Sequence, residues 1–151
     1  MNYKSIFISL TVCTPLWAGA IGIELPATCF LMHSSGSHLV KGSGGHAALE
    51  GAYASAPQKL TIIPSEEGYY NIFAPDGSVL TLSGDYDACF LNNASSHNAQ
   101  YAVEAVTDFY VTLRCRANNK YVGVDNTSPG SWAYSNKEVP DYWYLSNNQN
   151  Q

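Results

Sequence analysis

Asp85 and Asp87 stand two residues apart in a Gly-Asp-Tyr-Asp stretch, and two carboxylates that close could divide general acid and base work. The same stretch reads as a polar turn between strands, where both would simply be solvated. His33, His38, His46 and His97 are scattered along the chain, with no Cys or carboxylate at ligand spacing to complete a metal set. No Ser, His and Asp fall in the strand–turn–helix context that would position a nucleophile. The expectation is a protein that is not an enzyme and carries no cofactor and no metal.

Recognition of a sugar makes different demands. A pyranose needs a flat aromatic ring for its apolar side, and carboxylate or amide groups that bond its hydroxyls in fixed directions. One segment offers Asp85, Tyr86, Asp87, Phe90, Asn92 and Asn93, with Asn98 close behind. A second offers Asp125, Asn126, Trp132, Tyr134 and Asn136. A third, poorer segment has Glu50 and Tyr53.

These groups need a scaffold, and residues 109–145 show it most clearly. Val111, Leu113 and Cys115 alternate with Tyr110, Thr112 and Arg114, the period of a half-buried strand. A turn at 117–120 leads to a returning strand at 121–124, then a third strand at 131–135 and a fourth at 141–145. The pattern recurs at steps of about 42 residues. The turn has counterparts at 75–78 and 34–37, both with hairpin chemistry. Residues 131–134 land on Cys89, Phe90, Leu91 and Asn92, and then on Ala47, Ala48, Leu49 and Glu50. Trp132 thereby aligns with Phe90 and Ala48, and is either exposed or packed beneath the cap. In the fourth strands Leu60, Ala102 and Trp143 align and are expected in the core.

The fold expected is all-β: a β-trefoil of three four-strand repeats, at about 26–67, 68–108 and 109–147, forming a six-stranded barrel with a hairpin cap. A β-sandwich with accidental periodicity is the competing architecture. The chain resembles the ricin-type β-trefoil lectins over the whole of about 26–146. Their repeated Gln-x-Trp survives in part, with Gln at Gln58 and Gln100 and Trp at Trp143. The resemblance implies glycan or glycoprotein partners, with site groups drawn from the first turn, the third strand and the residues before the fourth. It places a carboxylate in the first strand and turn of a working unit, where Asp76 is the acidic residue of the second repeat and Cys115-Arg116 occupies the third.

The balance of charge excludes other partners. The formal charge is −5 and no cluster of Lys or Arg occurs, so phosphate backbones and anionic lipid have no electrostatic footprint here. Nucleic acid is not expected as a partner, nor membrane insertion, and the chain is expected to be a monomer. Lys4, the apolar run 5–17 and Ala18-Gly19-Ala20 read as a secretory signal peptide over 1–20, hence an extracellular protein with its domain at 21–147 and a polar tail at 148–151. Cys29, Cys89 and Cys115 then remain, which allows one disulfide by any of three pairings without requiring it. Asn93-Ala94-Ser95 and Asn126-Thr127-Ser128 are glycosylation sequons. Two alternative functions stay open. One is a trefoil protease inhibitor, although the acidic loop 64–68 has no Lys or Arg for a trypsin-like pocket. The other is a glycan-binding subunit of a toxin or effector.

Overall fold

Local chemistry sets the strands and their turns. The computed structural model describes residues 23–51 and 56–147; the expected signal peptide, Tyr53 and the polar tail lie outside them. The first repeat holds β1 (Ala27–His33), β2 (Leu39–Lys41), β3 (Ala47–Leu49) and β4 (Leu60–Pro64). The second holds β5 (Tyr70–Phe73), β6 (Val79–Ser83), β7 (Asp87–Leu91) and β8 (Tyr101–Ala105). The third holds β9 (Val111–Cys115), β10 (Tyr121–Val124), β11 (Ala133–Lys137) and β12 (Trp143–Ser146). Two short 3-10 turns, Ser43–Gly45 and His97–Ala99, are the helical elements among the described residues. None is long and apolar enough to cross a membrane.

The three first turns share one plan, the third being one residue longer. Gly36, Gly77 and Asn119 occupy the same place with positive φ of 103°, 90° and 61°. Each donates its N–H back to the strand end, to the carbonyls of His33, Ala74 and Cys115. Glycine and asparagine are the residues that take this left-handed conformation at least cost. The third strand of the last repeat begins at Ala133 rather than 131. Residues 130 and 131 instead bond across to the first repeat, with Gly130 N–H on the Leu49 carbonyl at 3.1 Å and Leu49 N–H on the Ser131 carbonyl at 2.8 Å.

Pairing closes the sheet, as an all-β fold without free edges requires. A continuous circuit runs through nine strands, β1–β12–β9–β10–β11–β7–β6–β5–β4 and back to β1. This corrects the expected six-stranded barrel with a separate cap. Two of the three hairpins, β6–β7 and β10–β11, are hydrogen-bonded into the wall through Phe73↔Val79 and Tyr121↔Arg114. They join each other at Tyr134↔Asp87. β8 spans the circuit from β9 to β5, meeting the latter at Tyr101↔Tyr70, so a shorter path β1–β12–β9–β8–β5–β4 also closes. The hairpin β2–β3 forms a separate two-stranded sheet.

Each repeat sends one equivalent residue of its fourth strand into the core. Register places Leu60 against Cys29, Tyr101 against Tyr70 and Trp143 against Val111. All three are fully buried. Tyr101, not Ala102, is therefore the second-repeat counterpart of Trp143, and the Gln58 position corresponds to Ala99 and Asp141 rather than to Gln100. The position has a structural task. Gln58 accepts the Lys41 N–H at 3.2 Å, and Asp141 accepts the Val124 N–H at 2.9 Å, each tying the fourth strand to its own hairpin. Gln100 is buried one place further on, where it accepts from the Arg116 guanidinium at 2.7 Å. Asp141 also accepts from His33 Nε2 at 2.9 Å, which latches the last repeat onto the first.

Candidate functional site

The three third strands meet around the pseudo-threefold axis. Ala47, Ala88 and Ala133 are equivalent by register, opposite Lys41, Leu82 and Val124, and all three are fully buried. Because side chains alternate along a strand, the residues on either side of each alanine turn away from the core. Those before are His46, Asp87 and Trp132; those after are Ala48, Cys89 and Tyr134. The pairing is cyclic: His46 bridges Cys89, Asp87 pairs with Tyr134, and Trp132 bridges Ala48. Each repeat thus donates one residue to the next around a ring.

On that ring lies an aromatic platform. Trp132 is 55% exposed and stacks on the His46 imidazole, with ring centroids 3.9 Å apart and planes at 22°. Tyr134 meets the same imidazole edge-on at 6.4 Å, and Tyr86 adjoins Tyr134 at 6.3 Å. Tyr86 is 54% exposed. His46 is only 9% exposed, and its Nε2 has no hydrogen-bond partner among the described residues. His46 Nδ1 lies 3.7 Å from the Cys89 sulfur. Beneath the platform Ser135 is pinned, its hydroxyl 2.9 Å from the Tyr101 hydroxyl and its N–H donating to the Tyr86 carbonyl.

The structure gathers some of the residues expected at a sugar site and disperses others. Trp132, Tyr134 and Asp87 share the ring, with Asp85 exposed in the turn just before it. Asp125 lies at the margin and is ion-paired with Lys137, whose ammonium sits 5.9 Å from the Tyr134 ring centre. Asn126 is consumed locally, accepting from Ser128 N–H and the Ser131 hydroxyl. Asn136 falls where the β10–β11 register shifts. Phe90 is 3% exposed, so it belongs to the core and cannot stack on a ligand. Its true counterpart is Leu49, as the pairings Leu80↔Phe90 and Leu39↔Leu49 show. Trp132 therefore aligns with His46 and Asp87, not with Phe90 and Ala48. Asn92 follows Leu91 at the far end of β7, about 17 Å of strand from Asp87, beyond the reach of one monosaccharide.

Asp76 is at that far end too. It accepts from the Lys41 ammonium at 2.5 Å and from the Ser78 hydroxyl and N–H at 2.6 and 3.0 Å. The Lys41 hydrogen bond first, then those from Ser78, hold its carboxyl well below the usual carboxylate range. Its acceptor capacity is largely spent inside the protein.

Sequence reasoning missed His46. The available signal was the alanine that follows it, which recurs as Ala88 and Ala133 and fixes the true alignment. Cys29, Cys89 and Cys115 are free, so none of the three pairings forms. Burial pushes the Cys29 thiol up to about 11 against a weaker pull from Lys59. Burial and the nearby Asp87 raise that of Cys89. Neither thiol is poised as a nucleophile. The acidic loop 64–68 is a tight turn rather than a protruding arm. Arg116 clamps it, at 3.1 Å from Glu66 and 3.0 Å from Glu67.

No family model matches this chain, and no curated protein matches it in sequence. Solved structures do match in fold. A designed threefold-symmetric protein, ThreeFoil, is 21% identical with a TM-score of 0.67, over 78% of this chain and 96% of its own. The Polyporus squamosus lectin, solved with the epitope Neu5Acα2-6Galβ1-4GlcNAc, is 11% identical with a TM-score of 0.66. That match covers 82% of this chain and 49% of the lectin, so the chain spans about half its length. The Haemophilus ducreyi cytolethal distending toxin gives a TM-score of 0.63 at 12% identity, over 79% of this chain and 82% of that one. The chain has a β-trefoil fold.

Proposed function

We propose that this protein is a secreted carbohydrate-binding β-trefoil that acts by recognition rather than by catalysis. The observation that carries this reading is Trp132. An indole left more than half exposed while backed by a stacked imidazole is a rigid flat surface, which is what the apolar face of a pyranose requires. One face packs on His46 and the other is left to solvent. Carboxylates on the same ring of strands can accept from sugar hydroxyls. Fold neighbours that include a lectin with its glycan and a β-1,3-galactosidase support a glycan as the partner class.

Secretion as a monomer is part of the same proposal and rests on the 1–20 signal pattern. The inhibitor alternative is disfavoured by the clamped loop, since Glu66 and Glu67 already answer to Arg116. A glycan array on the mature protein is the test, paired with tryptophan fluorescence of wild type and Trp132→Ala. The expected result is binding that disappears in Trp132→Ala while its far-UV circular dichroism is unchanged. A blank array at high protein concentration would refute the reading.

A further inference from the structure

The ring around the pseudo-threefold axis differs in kind from three repeated sugar pockets. Its aromatic surface is assembled once, from His46 of the first repeat, Tyr86 of the second, and Trp132 and Tyr134 of the third. The positions equivalent to Tyr134 are Ala48 and Cys89, which offer no flat ring, and those equivalent to Trp132 are His46, already part of the platform, and Asp87. A site built this way binds one ligand per chain and exists only when all three repeats are folded.

Its charge is also one-sided. Asp87 belongs to the ring and pairs in register with Tyr134. Asp85 is exposed two residues earlier, after the left-handed Gly84 with φ of 64°. Neither carboxylate has an ion-pair partner among the described residues. The Lys137 ammonium beside Tyr134 is committed to Asp125. Aromatic faces attract cations through their quadrupole, and uncompensated carboxylates add to that attraction. An anionic sugar would meet only repulsion from Asp85 and Asp87. The buried His46 Nε2 behind Trp132 has no partner among the described residues, where His38 Nε2 is the other such side-chain atom.

We infer that the axial platform is a single composite site for an amino sugar bearing a free ammonium, such as a glucosamine unit of a deacetylated polysaccharide. The pyranose lies on Trp132, and its ammonium is held between the tyrosine faces and the Asp87 carboxylate, with Asp85 supplying longer-range field. This rests on the carbohydrate-binding reading and names its ligand class.

The test compares the fully deacetylated glucosamine tetramer with the fully N-acetylated tetramer. Binding is followed by calorimetry and tryptophan fluorescence at low and high salt, alongside a panel of neutral and sialylated glycans. The expected outcome is one tetramer bound per chain, at least tenfold tighter in its deacetylated form, weakening as salt screens the carboxylates. Asp87→Asn should weaken the deacetylated tetramer at least fivefold without altering the melting temperature. Trp132→Ala should abolish binding. Equal or preferential binding of the acetylated tetramer would overturn the amine assignment while leaving carbohydrate binding intact. So would deacetylated tetramer bound equally by wild type and by Asp87→Asn. Three equivalent sites per chain would overturn the composite site. No binding to either tetramer or to any panel glycan would sink the carbohydrate reading itself.

Discussion

Replacing Asp141 with alanine removes one acceptor from two donors at once. Its Oδ2 takes the His33 Nε2 proton and the Val124 N–H, both at 2.9 Å. The direction of the first bond is fixed by a neighbour. Ser35 N–H lies 3.1 Å from His33 Nδ1, and a backbone N–H can only donate, so Nδ1 accepts and Nε2 carries the proton. His33 and Val124 are both buried, and each donor left unmet costs about 1–3 kcal/mol. The Asp141 side chain is 28% exposed, so water can reach part of the gap. A net loss of about 2–4 kcal/mol follows for Asp141→Ala. Gln58→Ala removes the equivalent acceptor in the first repeat but loses a single hydrogen bond, from the Lys41 N–H at a longer 3.2 Å, and should cost about 1 kcal/mol. Urea unfolding followed by intrinsic fluorescence would measure both. If Asp141→Ala falls within about 0.5 kcal/mol of wild type, or if Gln58→Ala costs as much, then the latch between first and last repeats is wrong.

Two further outcomes follow from the burial pattern. Trp143 is fully buried, donates its indole N–H to the Val122 carbonyl at 3.2 Å and meets His33 edge-on at 5.0 Å, so Trp143→Ala should cost about 3–5 kcal/mol. Trp132→Ala should change stability by about 1 kcal/mol or less by the same denaturation, and similar losses for the two would contradict their assignment to core and surface. For Cys29, burial raises the folded thiol from its ordinary 9.0 to about 11, so its contribution to stability is complete below pH 9 and fades as pH climbs towards 11. Cys29→Ala should therefore lose less stability than wild type across that window, and an identical loss in both would remove Cys29 as a cause.

Much of the architecture is legible in the sequence because it is local. The turns at 34–37, 75–78 and 117–120 announce themselves through Gly36, Gly77 and the Asn118-Asn119 pair, which meet a backbone demand inside four residues. The strand 121–124 follows from the turn before it, and the burial of Trp143 from the apolar residues at the ends of the other fourth strands. Alignment between repeats is another matter. Sequence spacing pairs Gln100 with Gln58, and Phe90 with Trp132, because insertions of different lengths precede each strand and spacing absorbs them without a trace.

The residues by themselves determined the three repeats, the all-β class, the acidic surface and the aromatic supply. Those depend on side-chain chemistry and on contacts a few residues apart. Only the tertiary structure decided that Trp132 lies on the surface, that His46 stands behind it, and that Phe90 does not join it. Those outcomes depend on which third strand meets which across the axis, far apart in sequence, where bridges such as His46↔Cys89 and Ala48↔Trp132 are fixed by closure of the whole sheet.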